Sequence, residues 1–354
     1  LPADGSTVFV TGCHRSGTSL LAALVHDLVA EDGAAPQDQF ESVLENPLGF
    51  FETKRLVELN DQLLQQVGCQ WNLAPVLAPS WDSPPLLDAL LPLRASLASY
   101  GLSNRWVDKD PRLCLTYPAY IHILLKRVPL VASLREPMEV ATSLYARNGL
   151  ALEGGLALWY LYNHHLAAAI DHGDLLIGYE QLLAVGDEED GALAIHRALA
   201  AFFERHGHQR PQLERWRQSI QRRLRPDLNR SATALSQRMA ADLNPALRST
   251  CERAMAAAFS ADGGVSRFQE AFAALPRPVL VALQRHRLVP QSLPGFQPSA
   301  LQEELEQRQQ ALEASQRSEG LLRARLAAIE TSSSWRLTAP LRHWKDHWQR
   351  RRGS

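Results

Sequence analysis

Residues 7–30 read TVFVTGCHRSGTSLLAALVHDLVA, and this stretch decides the fold. Thr7 to Thr11 is β-branched or aromatic throughout, which suits a buried strand. Gly12 and Gly17 bracket four residues, the signature of a tight loop. Ser16, Thr18 and Ser19 then open an apolar run with Leu20, Leu21, Leu24, Val25 and Leu28 at helical spacing. A loop that turns a strand into a helix in this way aims backbone N–H groups at one point, at the positive end of the helix dipole, and so makes an anion cradle. Nucleotide-hydrolysing loops of this kind read G-x-x-x-x-G-K-[ST]. Here the glycine spacing is kept, Thr18 stands at the lysine position, and Arg15 is the strong cation of the loop. An ordinary strand–turn–helix would use the same glycines for the turn alone, so the neighbouring segments have to decide.

Working outward, 354 residues are enough for one large domain with additional material, or for two domains. With 37 basic and 38 acidic residues the formal charge is −1, which gives no bulk attraction to nucleic acid or to a membrane. Cys13, Cys69, Cys114 and Cys251 lie far apart without a C-x-x-C, which argues against a zinc site or a disulfide framework. That usage fits a reducing compartment, so a cytoplasmic location is expected. The histidines form no HExxH pattern and no metal site is expected; His164–His165 and His206/His208 read as surface residues. No signal peptide or apolar run of membrane-spanning length is seen, and the chain begins at Leu1, as a processed product or an excised piece would.

Residues 31–50 are polar and turn-rich, and 51–68 predict a helix with Leu56, Leu59, Leu63 and Leu64 on one face. Glu52 stands at its start beside Phe50 and Phe51, where it either serves the helix dipole or acts as a general base. Residues 71–85, with Trp71, Trp81 and several prolines, predict a loop that lines a substrate cleft or simply packs, and 86–103 predict a leucine-rich helix. Arg105 to Asp108 reads as a strand ending at Lys109-Asp110-Pro111-Arg112, followed by a helix over 113–126 interrupted near Pro118. The apolar run Val128 to Leu134 reads as a central parallel strand and ends at Arg135. Pro137 and Glu139 suit the first turn of the next helix, and Ser143 follows about two turns in. Arg135 and Ser143 therefore either converge on one ligand or are a strand-terminal arginine and a helix-surface serine. A helix over 154–170, a strand over Leu175 to Tyr179, an acidic loop at 187–190 and a helix over 192–206 continue the alternation. Such alternation makes a parallel α/β sheet, and ligands bind such sheets at the carboxyl ends of the strands. Gly12–Ser19, Lys109 and Arg135 all fall there.

Together these residues resemble the sulfotransferases that use 3′-phosphoadenylyl sulfate (PAPS). The family's 5′-phosphosulfate loop looks like Arg15-Ser16-Gly17-Thr18-Ser19, with Arg15 where lysine is more usual. Its 3′-phosphate motif, an arginine at a strand end and a serine eight residues on, is similar to Arg135 and Ser143. Lys109-Asp110-Pro111, Tyr179-Glu180-Gln181-Leu182 and Asn46-Pro47-Leu48-Gly49-Phe50-Phe51-Glu52 resemble segments of the tyrosylprotein and related bacterial members. The resemblance implies an α/β P-loop-like three-layer fold with a central parallel sheet over residues 5–235. It implies PAPS as co-substrate, held by His14, Arg15, Ser16, Gly17, Thr18, Ser19, Arg135 and Ser143. Catalysis would fall to Glu52 as base, with Glu45 in reserve, and to Lys109 and Arg15 as charge stabilisers. Arginine holds its proton too tightly to act as an acid, which gives Lys109 the larger share of any proton donation. A sulfuryl group carries less negative charge than a phosphoryl group, so no metal clamp is implied. The expected partner is a glycan or another hydroxyl-bearing acceptor, with a carbohydrate favoured and no nucleic acid. Two other readings stand beside it: a kinase-like phosphoryl transferase on the same loop, and a non-catalytic assembly module.

Beyond this domain, 215–230 is basic, and either closes over a phosphate or forms a solvated helix face. Residues 236–290 predict a helical extension. Over 301–330 Leu301, Leu305, Leu312, Leu322, Leu326 and Ile329 form a heptad seam, either a coiled coil that makes a homo-oligomer or a single packed helix. Residues 331–354 form a basic tail with Trp335, Trp344 and Trp348, either resting on a membrane surface or unstructured.

Overall fold

Four parallel strands, β1 (Thr7–Thr11), β2 (Trp106–Lys109), β3 (Leu130–Leu134) and β4 (Leu175–Gly178), form one sheet in the order β2-β1-β3-β4. The structure, a computed structural model, describes residues 7–29, 51–84, 86–88, 90–92, 106–184, 189–224, 243–259 and 264–290. Val10 pairs with Lys109, Thr11 with Ala132, and Leu134 with Gly178. The carboxyl end of β1 is thus flanked by Lys109 on one side and by the end of β3 on the other.

Alternation along β1 splits the core into two layers around the sheet. Val8 and Val10 pack with Leu21, Leu24 and Val25 of α1 (Thr18–Val29), and with more distant Phe202, Phe203 and Trp216. Phe9 lies on the opposite face, edge-on to Tyr117 at 6.5 Å and Tyr120 at 5.5 Å. The sheet is therefore the middle layer of three, as the resemblance implies. β1 and β3 are buried at every position, as a sheet covered on both faces requires.

The helices follow the predicted order. Helix α2 (Lys54–Gln66) buries Leu56, Leu59, Leu63 and Leu64, and α3 (Leu113–Leu124) carries the two tyrosines behind Phe9. Pro118 does not interrupt α3: its neighbours Tyr117, Ala119 and Tyr120 are all buried, and packing against the sheet outweighs the roughly 3 kcal/mol that an interior proline costs. Helix α4 (Pro137–Asn148) starts on Pro137, is capped by the Glu136 carboxylate at the Glu139 N–H, and stops at Gly149 with φ 66°. Next come α5 (Leu152–Ala169), the short α6 (Tyr179–Ala184), α7 (Glu189–Arg205) and α8 (Leu213–Arg223).

Helix α5 is buried on nearly all sides, because α9 (Pro245–Ala258), α10 (Val265–Ala271) and α11 (Arg277–Arg285) cover its outer face. Phe272 meets Trp159 at 5.4 Å, and the Tyr160 hydroxyl donates to the Ala271 and Ala274 carbonyls. This burial corrects the surface assignment of the histidines. His165 is buried with Nε2 2.6 Å from the Pro75 carbonyl, and burial followed by the neighbouring His164 pushes its pKa down to about 4. His164 Nδ1 meets the Phe272 carbonyl at 2.7 Å, and His206 Nε2 the Gly173 carbonyl at 2.8 Å. A carbonyl only accepts, so each of these nitrogens carries a proton.

The four cysteines are buried free thiols. Among the described residues no helix is long and apolar enough to cross a membrane. Glu45 and residues 46–50, the end of the helix predicted over 86–103, and the segments 225–235, 301–330 and 331–354 lie outside the described residues.

Candidate anion-binding and catalytic site

The loop between β1 and α1 is shaped by two close approaches. Gly12 has φ 145°, and a Cβ there would lie 2.4 Å from the Ser133 carbonyl oxygen of β3. Gly17 has φ 80°, and a Cβ there would fall 2.1 Å from the Tyr179 ring, just beyond β4. Arg15 itself adopts φ 69°, a left-handed conformation that costs a non-glycine residue on the order of 1–2 kcal/mol.

β3 holds this loop from its carbonyl side. The Ser133 hydroxyl donates to the Ser16 carbonyl at 2.5 Å, and Arg135 Nη1 donates to the Arg15 carbonyl at 3.0 Å. Arg15 Nε in turn donates to Ser143 Oγ of α4 at 2.8 Å. Arg135 and Ser143 thus meet the same loop residue, one at its backbone and one at its side chain. The Arg135 guanidinium lies 4.1 Å from the centre of the Tyr179 ring and pairs with Glu139 through Nε at 3.0 Å and Nη2 at 2.6 Å. Its backbone carbonyl accepts from Trp159 Nε1 at 3.0 Å, which ties this strand end to α5.

On the other flank, Lys109 is almost wholly buried at the end of β2. Its Nζ donates to Glu52 Oε1 at 2.5 Å and to Ser19 Oγ, in the first turn of α1, at 3.3 Å. Thr53 caps α2, its hydroxyl accepting from the Leu56 N–H, and donates to Asp108 through both its N–H (3.2 Å) and its hydroxyl (2.6 Å). Just beyond Lys109, fully buried Asp110 accepts from Asn60 Nδ2 at 2.9 Å and from the Arg112 N–H at 2.9 Å. Burial pushes the Asp110 carboxyl up, against the opposing pull of Arg112.

Two buried polar atoms in the loop, Ser16 Oγ and His14 Nε2, have no hydrogen-bond partner among the described residues. Burial, and after it the positive charges of Arg112, Lys109, Arg147 and Arg15, hold the His14 imidazole well below its usual pKa and therefore neutral. The same four cations lie near the loop, Lys109 and Arg112 being also paired with Glu52 and with Asp61 and Asp110. A glycine-shaped cradle, unpartnered polar atoms within it and converging cations are features that an anionic phosphate or sulfate ester can use. A PAPS-type ligand fits these residues. His14 meets Trp71 with ring centroids 4.8 Å apart at a tilt of 57°, and meets Tyr162 edge-on at 5.5 Å. The Tyr162 hydroxyl donates to the Trp71 carbonyl at 2.7 Å, which fixes the start of the 71–84 loop beside the cradle.

Of the residues expected at the site, His14, Arg15, Ser16, Gly17, Thr18 and Ser19 lie in the loop and first turn, and Glu52, Lys109, Arg135 and Ser143 gather around them. The basic segment behaves differently. Arg222 and Arg223 of α8 pair with Asp27, nine residues beyond Thr18 and therefore about 13 Å along α1 from the loop. Asp108, Thr53, Ser133 and Glu139 were not singled out from the sequence. Thr53 carries a local signal, a threonine immediately before a helix, and Glu139 carries another, a carboxylate four residues after Arg135; Asp108 and Ser133 take their significance from contacts with distant segments.

No family model matches the chain, and no curated protein matches it. Several solved structures are similar to it, among them the following three. The sulfotransferase domain of the Synechococcus PCC 7002 olefin synthase is 15% identical, with a TM-score of 0.35, over 75% of this chain and 94% of that one. The sulfotransferase domain from the curacin biosynthetic pathway is 13% identical, with a TM-score of 0.37, over 82% of this chain and 99% of that one. Retinol dehydratase, in complex with androsterone and the inactive cofactor PAP, is 14% identical, with a TM-score of 0.33, over 83% of this chain and 84% of that one.

Proposed function

We propose that this protein is a sulfotransferase that moves the sulfuryl group of PAPS to an acceptor hydroxyl. The observation that carries the proposal is the meeting of Lys109 Nζ with both Glu52 and Ser19 at the mouth of the anion cradle. It joins a carboxylate base, an ammonium and the helix start at which an anion is favoured.

PAPS when bound supplies an activated sulfuryl group and a bisphosphate leaving group. The residues of the chain do the rest. The cradle Gly12–Ser19 and Arg15 hold the 5′ anion, and Arg135 and Ser143 hold the 3′-phosphate. Glu52 accepts the proton of the acceptor hydroxyl. Lys109 keeps a proton at Nζ and offers it to the oxygen that gains charge as the sulfuryl departs. Thr18 at the position of the P-loop lysine favours this reaction over triphosphate hydrolysis, because the cation that serves a γ-phosphate is missing from the loop. The acceptor we favour is a carbohydrate. Its support is Trp71, half-buried beside His14, whose ring can take the apolar face of a sugar.

The test is incubation with labelled PAPS and a panel of glycans, tyrosine peptides and lipid alcohols, alongside binding of adenosine 3′,5′-bisphosphate. Transfer to a glycan and bisphosphate binding are expected. No transfer and no binding would overturn the proposal, as would magnesium-dependent ATP turnover. Transfer to a peptide or lipid alone would overturn only the acceptor class.

A further inference from the structure

The pair formed by Glu52 and Lys109 joins two segments that are 57 residues apart, and nothing in either segment fixes the separation locally. Each member has a neighbour that bonds to the neighbour of the other. Thr53 follows Glu52, Asp108 precedes Lys109, and the Asp108 carboxylate takes the Thr53 N–H on Oδ1 and the Thr53 hydroxyl on Oδ2. Asp108 Oδ1 also accepts from the Lys109 N–H at 2.8 Å. One buried carboxylate therefore clasps the backbone on both sides of the pair. The Thr53 hydroxyl, while donating to Asp108, accepts from Leu56 and so fixes the first turn of α2 at the same time.

We infer that Asp108 is a positioning residue for sulfuryl transfer, acting through Thr53 to hold the Glu52 carboxylate against the Lys109 ammonium. A carboxylate suits the task because two oxygens serve three donors without rotating. An asparagine keeps the shape, but its amide nitrogen cannot accept, so one side of the clasp opens. Proximity of this kind matters because a small displacement of a base costs rate rather than binding.

The kinetic arm rests on the proposed transfer reaction; a second arm does not. In the first, Asp108→Asn lowers kcat by about tenfold to a hundredfold while the KM for PAPS stays within about twofold. In a Glu52→Gln background the same substitution changes the residual rate by less than about twofold, because the group it positions is gone. Thr53→Val repeats the effect of Asp108→Asn, and Thr53→Ser retains the wild-type rate. An equal fold-loss in both backgrounds, or an unchanged kcat in Asp108→Asn, overturns the inference. In the second arm, labelling of Lys109 by an amine-acylating reagent is measured by mass spectrometry on folded protein, matched by thermal melting. Labelling rises several-fold in Asp108→Asn and Thr53→Val and stays at the wild-type level in Thr53→Ser. Unchanged labelling of Lys109 in both disrupted variants overturns the clasp whether or not any acceptor is found. Raised labelling in a protein that transfers nothing supports the clasp and removes the sulfotransferase reading instead.

Discussion

At the C-terminal end of α1, Asp27 accepts from Ser219 at 2.7 Å, from Arg222 at 2.8 Å, and from Arg223 Nε and Nη2 at 3.0 and 2.9 Å. At the N-terminal end cations also gather, yet among the described residues Ser16 Oγ and His14 Nε2 are buried without partners. Both ends were basic in the sequence, through 215–230 and through Arg15, Lys109 and Arg135. The difference lies in completeness. The Asp27 cluster closes on itself and fastens α8 to α1; the loop cluster contains polar atoms that no described residue satisfies. Buried polar groups without partners are costly, and they are retained where a ligand completes them.

The sharpest way to break that contrast is to remove chemistry from the loop end without disturbing the packing. Glu52→Gln still offers an acceptor to Lys109 but cannot take a proton. Its kcat should fall by roughly a hundredfold to ten-thousandfold, with bisphosphate binding retained in calorimetry. Wild-type turnover in that variant would move the base elsewhere.

Next in size is Gly17→Ala. The added Cβ meets the Tyr179 ring at a φ that disfavours side chains, so about 3 kcal/mol of stability should go, together with nucleotide binding. Thermal melting with and without adenosine 3′,5′-bisphosphate reads both, and an unchanged ligand-induced shift would show that the cradle tolerates a methyl group there. Arg135→Ala should weaken bisphosphate binding by about tenfold to a hundredfold, and 5′-monophosphate binding much less, as loss of a charged hydrogen bond predicts. Equal losses for the two ligands would remove Arg135 from the 3′-phosphate.

The smallest effect belongs to the closed end. Arg223→Ala should lower the melting temperature by a few degrees, about 1 kcal/mol, and leave transfer untouched. Burial alone would raise the Asp27 carboxyl, but its bonds to Arg223 and Ser219 outweigh burial and hold it below the ordinary value. A depressed folded pKa contributes stability above the unfolded value near 3.8, lost as pH falls through the folded pKa. Melting curves below about pH 4 should therefore separate wild type from Arg223→Ala less than curves at pH 7 do. A constant gap would mean that the pair contributes nothing through charge.

Much of this architecture was legible beforehand because its signals are local. The β1–loop–α1 unit, the apolar run ending at Arg135, and the spacing from Arg135 to Ser143 are patterns within a few turns of chain. Pro118 and His165 were misread for the opposite reason: a proline predicts a break and a histidine pair predicts the surface, unless packing from distant segments overrides both. For His165 the distant partner is the Pro75 carbonyl, 90 residues away in the 71–84 loop.

The sequence by itself determined that the Gly12–Ser19 loop, Lys109 and Arg135 stand at strand ends, since strand and helix periodicity and glycine spacing are properties of neighbours along the chain. Only the tertiary structure decided that β2 and β3 lie on either side of β1, so that Lys109 and Arg135 flank one loop. Only it joined Glu52 to Lys109 through Thr53 and Asp108. Those contacts span more than fifty residues, and no local periodicity encodes them; they follow from which faces must be buried against which.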